Sequence, residues 1–211
     1  MDILDWIFPK RCVFCGSFGS YLCPTCFSFL SFDVKNFCLV CKKPSFNGLT
    51  HPLCKRKFTI DGCFSAVAYN RVVRKLVLSF KKKPYISDLK GILSELMYES
   101  LIQNEQFEKE LSKEWILVPV PLFRQSFRKR GYNQSQLLAK ELSKKLGIRE
   151  ADILERGAND KFVIKKDIYY KNIFLVDDVW VSGSTLLEAT KVLKRNRVKR
   201  VVGIVLTRKE H

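Results

Sequence analysis

All eight cysteines of this chain fall within its first 63 residues, and the 148 residues that follow contain none. Seven of them, with one histidine, form four pairs of common spacing: Cys12 with Cys15, Cys23 with Cys26, Cys38 with Cys41, and His51 with Cys54. A Cys-x-x-Cys pair puts two thiolates on one tight turn, and two such pairs supply the four tetrahedral ligands of a closed structural zinc site. Four pairs therefore suit two Zn2+ ions. Disulfides or buried thiols are the competing reading, and a chain that opens without a secretory signal favours a reducing compartment where disulfides are rare. Redox catalysis needs one activated pair rather than four in series. Sequential ribbons, Cys12/Cys15/Cys23/Cys26 and Cys38/Cys41/His51/Cys54, are preferred over interleaved ones, although spacing alone does not decide between them. His51 is the weaker ligand, with a surface role as its alternative. Cys63 sits in a strand-like run and reads as a small buried apolar residue.

This clustering divides the chain into a zinc-ribbon module over residues 1–60 and a second unit over 61–211. With 46% apolar and 12% aromatic residues in 211, the sequence can bury one ordinary core plus an appendage and is not a disordered tail. Lys and Arg number 38 against 21 Asp and Glu, a formal charge of +17 that favours polyanionic or phosphorylated partners. Met1 to Trp6 carries acids where a signal peptide needs bases, so a cytoplasmic location is expected. Residues 12–32 lack any charge, yet four Cys, Pro24 and several Ser and Thr argue against a membrane span.

Beyond Cys63 strand and helix patterns alternate. Phe64 to Tyr69 reads as a strand, and Val72, Val73, Leu76, Val77 and Phe80 recur at helical spacing, as do Ile86, Leu89, Ile92, Leu93, Leu96 and Met97. Trp115 to Pro121 reads as a buried strand ended by prolines. A basic loop follows, then a helix capped by Asn133 and closed at Gly147. Ile173 to Val176 is a strand, Thr185 to Leu193 a helix, and Val201 to Leu206 a last strand. Apolar strands separated by helices predict βαβ crossovers and an open α/β sheet covered on both faces, with ligands at the carboxyl ends of its strands.

Two loops fit that location. After Val176 come Asp177, Asp178, Val179, Trp180, Val181, Ser182, Gly183, Ser184 and Thr185. Paired acids can accept hydrogen bonds from two adjacent hydroxyls or help hold a metal. The small residues beyond them let backbone amides at a helix N-terminus approach a phosphate. This order resembles the Asp-Asp-Val-x-Thr-Thr-Gly-x-Thr loop by which type I phosphoribosyltransferases recognise phosphoribosyl diphosphate (PRPP), with Val181 and Ser182 where two threonines are usual.

The second loop is Val118, Pro119, Val120 and Pro121, followed by Arg124, Arg128, Lys129, Arg130, Gly131, Tyr132, Asn133 and Gln134 and by Leu138-Ala139. It resembles the Val-Pro-Val-Pro…Arg-Gly-(Phe/Tyr)-Asn-Gln…Leu-Ala signature of the ComF family, competence-associated phosphoribosyltransferase-like proteins with a cysteine-rich N-terminus. The block from Tyr69 to Lys81 resembles the same family. Between Gly147 and Lys171 the chain is shorter than the family pattern, and His51 stands for a usual cysteine.

The resemblance implies a type I phosphoribosyltransferase-like domain that binds PRPP with Mg2+, beside one or two structural Zn2+. It assigns Asp177 and Asp178 to the ribose hydroxyls, residues 181–185 to the 5-phosphate, and Val118 to Pro121 to pyrophosphate. Arg128 and Arg130, with Lys129, belong to a mobile loop that closes over pyrophosphate, their alternative being a solvated basic loop. The reaction implied is displacement of pyrophosphate from ribose C1 by a nucleophile for which no acceptor-binding residue stands out. It also implies a role in natural transformation, on incoming single strands beside a helicase and a recombination mediator. The alternative is a catalytically silent nucleic-acid-binding accessory protein. Its signals are basic clusters at residues 55–57, 81–83, 128–130 and 194–200, and aromatics at Phe14, Phe18, Tyr21, Phe27, Phe29 and Phe32.

Overall fold

The structure is a computed structural model that describes residues 9–81, 88–111 and 114–209. Met1 to Trp6, Ile86, and Lys82 and Lys83 of the basic cluster lie outside the described residues. The two ribbons occupy the N-terminal part, with a short helix α1 (Pro24–Phe27) that starts after Cys23 and carries Cys26. There follow β1 (Gly62–Ala68), α2 (Arg71–Lys81), α3 (Leu89–Ile102), α4 (Glu105–Leu111), β2 (Ile116–Pro119), α5 (Arg124–Arg130) and α6 (Gln134–Leu146). The chain continues through β3 (Leu154–Arg156), β4 (Phe162–Ile164), β5 (Asn172–Trp180), α7 (Ser184–Arg195) and β6 (Arg200–Arg208).

Four of these strands form one sheet in the order β1-β6-β5-β2, parallel throughout, and β3 and β4 make a separate antiparallel hairpin. The open α/β sheet expected from alternating apolar runs is what the chain builds. Along β5 alternate side chains serve opposite faces. Phe174 and Val176 join one cluster with Leu76, Phe80, Leu93, Met97 and Leu138, from α2, α3 and α6. Ile173 and Leu175 join the other with Leu186, Ala189 and Leu193 of α7. Both faces are covered, as uninterrupted Val, Ile and Leu runs in the strands require.

The ribbons straddle the sheet at β1. Cys12, Cys23 and Cys26 belong to the first cluster, while Leu39, between Cys38 and Cys41, and Ile60 belong to the other. The outer edge of β1 meets this module directly: the Ala68 amide donates to the Ser31 carbonyl at 2.9 Å, and Leu49 bridges Gly62. At the far side, the Leu117 amide of β2 donates to the Arg149 carbonyl and the Ala151 amide to the Leu117 carbonyl, both at 2.9 Å.

Two elements differ from expectation. The strand expected to stop at Val176 runs on to Trp180, because Asp177, Val179 and Trp180 keep register with Val205, Thr207 and Arg208 of β6. The segment expected to be a basic loop is helical over Arg124–Arg130. Its turn is held by the Phe127 amide on the Phe123 carbonyl and closed by Gly131 at φ +80°, a left-handed value that glycine adopts without penalty. The cap expected at Asn133 is present, its side-chain oxygen accepting from the Ser135 amide at 3.1 Å, and Gly147 ends α6 at φ +67°.

Candidate functional site

The metal-binding residues form two tetrads in sequential order, Cys12/Cys15/Cys23/Cys26 and Cys38/Cys41/His51/Cys54, with the ligand atoms of each within 4.8 Å of one another. Zn–S bonds of about 2.3 Å and Zn–N bonds of about 2.0 Å in a tetrahedron set ligand separations of roughly 3.5–3.8 Å. The Cys15 and Cys23 sulfurs stand 3.6 Å apart, and Cys41 Sγ is 3.3 Å from His51 Nδ1. His51 Nε2 lies 2.9 Å from the Pro44 carbonyl, so it carries the proton and leaves the Nδ1 lone pair for metal. This second contact orients His51 so that Nδ1 faces the three cysteines of its tetrad. Cys63 is buried at 3% exposure on β1, and burial, with the Asp177 charge nearby, pushes its thiol up, so it stays protonated and apolar.

At the carboxyl end of β5 the two acids have different partners. Asp177 Oδ1 accepts from Ser135 Oγ and from the Asp178 amide, both at 2.9 Å. Asp178 is buried and ion-paired to Lys81, whose Nζ stands 2.6 Å from Oδ2 and 2.7 Å from Oδ1. Burial first, then the Asp178 charge, pushes the Asp177 carboxyl up to about 6, against the opposing charge of Lys81 and the hydrogen bonds it accepts.

The turn beyond β5 is tight because its middle is crowded. Gly183 sits at φ +81°, and a Cβ there would lie 2.9 Å from Leu39 Cδ2 and 3.0 Å from Trp180 Nε1. The second ribbon thus buttresses the turn through Leu39. Ser182 Oγ lies 2.8 Å from Ser184 Oγ and accepts from the Ser184 amide at 3.3 Å. A concavity of ≈ 90 Å³ opens here, walled by Asp177, Val181, Ser182, Gly183 and Thr185 among others, at the N-terminus of twelve-residue α7. Such a wall offers a carboxylate, hydroxyls and the positive end of a helix dipole to a single ligand.

The other loop is fixed from behind. The Val120 amide donates to the Val176 carbonyl at 3.0 Å, Asn133 Nδ2 donates to the Val120 carbonyl at 3.0 Å, and Arg156 Nε donates to the Pro121 carbonyl at 3.3 Å. Val118 and Pro119 lie in β2 beside Leu175 and Val176 of β5. Tyr132 Oη donates to the Phe80 carbonyl at 2.6 Å, and buried Gln134 links that carbonyl to Arg130, with Nε2 at 3.4 Å and Oε1 at 3.1 Å respectively. The Arg-Gly-Tyr-Asn-Gln run therefore clamps the C-terminal end of α2, the end from which Lys81 reaches Asp178.

Comparison with known proteins bears on both halves. A family model described as "Double zinc ribbon domain" matches residues 3–56. Competence protein F of Haemophilus influenzae is 29% identical over 130 residues, 52% of this chain and 56% of that protein. DNA utilization protein YhgH of Escherichia coli O6:H1 is 29% identical over 98 residues, 38% of this chain and 43% of that protein. The chain is therefore similar to proteins of the ComF family over about half of its length or less. It spans about half the length of the curated relatives it matches. Among solved structures, a purine phosphoribosyltransferase from Pyrococcus horikoshii Ot3 is similar with TM-score 0.36 and 18% identity, over 56% of this chain and 83% of that one.

Asp177, Val181, Ser182, Gly183 and Thr185 come together around one concavity, and Val118 to Pro121 lie at the same end of the sheet. Asp178 does not line that concavity, being engaged by Lys81. Arg128 is exposed on α5, and Arg130 is tied to Gln134. Lys81, Ser135 and Arg156 make contacts with the two candidate loops that sequence reasoning did not assign to the site. The partners in those loops, Asp178, Asp177 and Pro121, are 97, 42 and 35 positions away, so no local spacing marks them.

Proposed function

We propose that the protein binds PRPP at the carboxyl end of β5 and acts in cytoplasmic DNA uptake or DNA utilisation. The observation that carries the reading is the meeting of the Asp177 carboxylate and the turn at residues 181–185 in one concavity at the N-terminus of α7. In this reading the turn amides and the Ser182, Ser184 and Thr185 hydroxyls hold the 5-phosphate. Asp177 accepts from a ribose hydroxyl, and Asp178 either joins it on release from Lys81 or sets Lys81 beside the donor. The Val118 to Pro121 loop lies under the pyrophosphate, and Arg128 and Arg130 stabilise its charge from α5. Mg2+ bound with PRPP would supply further neutralisation of the leaving group. A nucleophile that adds to ribose C1 as the C1–O bond to pyrophosphate breaks completes a transfer. The process-level role is supported by the names competence protein F and DNA utilization protein borne by the relatives.

Calorimetric titration of PRPP, with and without Mg2+, tests the pocket without an acceptor. Asp177→Asn/Asp178→Asn is expected to weaken binding by about a few kcal/mol, the worth of two charge-assisted hydrogen bonds. Equal affinity in wild type and double variant refutes the site. Pyrophosphate release over a panel of nucleobases and amines tests transfer itself.

A second reading, a silent nucleic-acid-binding accessory protein, rests on the first ribbon. Phe14, Phe18 and Phe29 are exposed there, and the Arg11 guanidinium lies 4.2 Å from the Phe18 ring centre. Single-strand binding that falls steeply with salt and is lost in Phe14→Ala/Phe29→Ala supports it. A DNA helicase or recombination mediator is the protein partner either reading proposes.

A further inference from the structure

A second cavity adjoins the Val118 to Pro121 loop without reaching the Asp177 concavity. It has a volume of ≈ 500 Å³ and opens between the β3–β4 hairpin and the outer face of α7. Lys191 and Arg195 sit seven and eleven residues past Ser184, about 10 and 16 Å along the helix. Neither Asp177 nor any residue of the 181–185 turn lines it. The volume lies within the range of small-molecule sites, about 300–1,000 Å³.

Its wall combines a stacking surface with cations. Arg156, buried at 6% exposure, lies with its guanidinium carbon 3.5 Å from the Phe162 ring centre and 4.2 Å from that of Phe123. The guanidinium is fixed in plane by hydrogen bonds to the Pro121 carbonyl at 3.3 Å and the Asp160 carbonyl at 2.8 Å. The result is a stack of ring, guanidinium and ring, and its outermost member, Phe123, is 48% exposed on the cavity. A planar ligand continues such a stack without rearrangement.

Lys161, Lys191 and Arg195 line the same cavity, all exposed, and none has an acid partner within ion-pair distance among the described residues. Asp160 and Glu188 share the wall, and Asp160 Oδ1 is engaged by the Arg124 amide at 3.4 Å. The wall is therefore mixed, with a basic excess. It fits a ligand that carries a negative group at one end and a flat ring with hydrogen-bond donors at the other.

We propose that this cavity binds a nucleotide, its base stacked on Phe123 and its phosphate held by Lys161, Lys191 and Arg195. The same chemistry comes from a free mononucleotide or from one residue of a DNA single strand. The site shares no lining residue with the Asp177 concavity, although Arg156 touches the Val118 to Pro121 loop, and the proposal does not depend on PRPP binding.

The test is titration of the full chain, zinc loaded, with dAMP, dTMP and a short oligothymidylate at physiological salt, with PRPP titrated in parallel. Variants are Phe123→Ala and Lys191→Glu/Arg195→Glu, exposed positions whose change is expected to leave thermal unfolding as in wild type. Lys191→Gln/Arg195→Gln replaces the charge reversal if that variant does not fold. Loss of one stacked base costs about 1–3 kcal/mol, so Phe123→Ala is expected to weaken nucleotide binding at least about fivefold. The paired lysine and arginine changes are expected to weaken it about tenfold or more and to flatten its salt dependence. Binding of the mononucleotides identifies a free nucleotide as ligand; binding of the oligothymidylate alone identifies a strand. No binding of any probe by wild type, or binding unaltered in the variants, overturns the proposal whatever PRPP does.

Discussion

Replacing Gly183 by alanine tests the geometry of the turn more sharply than any charge change. At φ +81° an L-residue with a Cβ incurs about 1–2 kcal/mol of backbone strain. The new methyl also meets Leu39 Cδ2 at 2.9 Å and Trp180 Nε1 at 3.0 Å, and inserting a methyl into a filled core costs about 1–3 kcal/mol more. Together these destabilise the chain by about 2–5 kcal/mol, or about 5–15 °C in Tm for a chain of this length. Thermal and guanidinium unfolding of the zinc-loaded protein measure it. Leu39→Ala removes the nearer obstacle at its own cost of about 2–5 kcal/mol, so adding Gly183→Ala in that background is expected to cost about 1–2 kcal/mol less than in wild type. A Gly183→Ala Tm within about 2 °C of wild type, or strict additivity with Leu39→Ala, refutes the claim that ribbon and turn press on each other there.

Three further outcomes are expected. Asp177, with its carboxyl raised to about 6, holds its proton more tightly in the folded than in the unfolded chain, so its contribution to stability is full near pH 4 and is lost as pH rises through about 6. Asp177→Asn flattens that slope in urea unfolding at pH 4.5 and 7 by about 1–2 kcal/mol, after discount for partial exposure, and an unchanged slope refutes the assignment. Lys81→Met leaves the buried Asp178 carboxylate without its cation and costs about 3–5 kcal/mol, largely regained in Lys81→Met/Asp178→Asn; a double variant no more stable than the single one removes the pair as a structural element. Metal analysis is expected to find two zinc ions per wild-type chain, two in His51→Cys and one in His51→Ala, whereas two in the alanine variant excludes His51 as a ligand.

Much of this was readable where chemistry acts over short spans. The cysteine pairs announce themselves because tetrahedral ligands come from single turns, and Asn133 and Gly147 mark a helix whose ends are where they predict. The acid pair and glycine turn stand at the carboxyl end of a buried strand, as apolar patterning places them. What escaped is long-range. Lys81 meets Asp178 across 97 positions, and Ser135 meets Asp177 across 42. The hairpin strands β3 and β4 are three residues each, too short to show a period of two. Helix α5 has a polar sequence with no buried residue, so no apolar stripe betrays it. The extension of β5 through two acids needed the pairing of β6 to be seen.

The flanks of the sheet have a further consequence. Both outermost strands have neighbours along part of their rims: residues 149–151 beside β2, and the metal-stapled segment beside β1 through Ser31 and Leu49. Removing the ions loosens that second guard and bares β1, an apolar strand able to accept one from another copy. Chelation is therefore expected to promote association between copies, with turbidity rising before the unfolding transition.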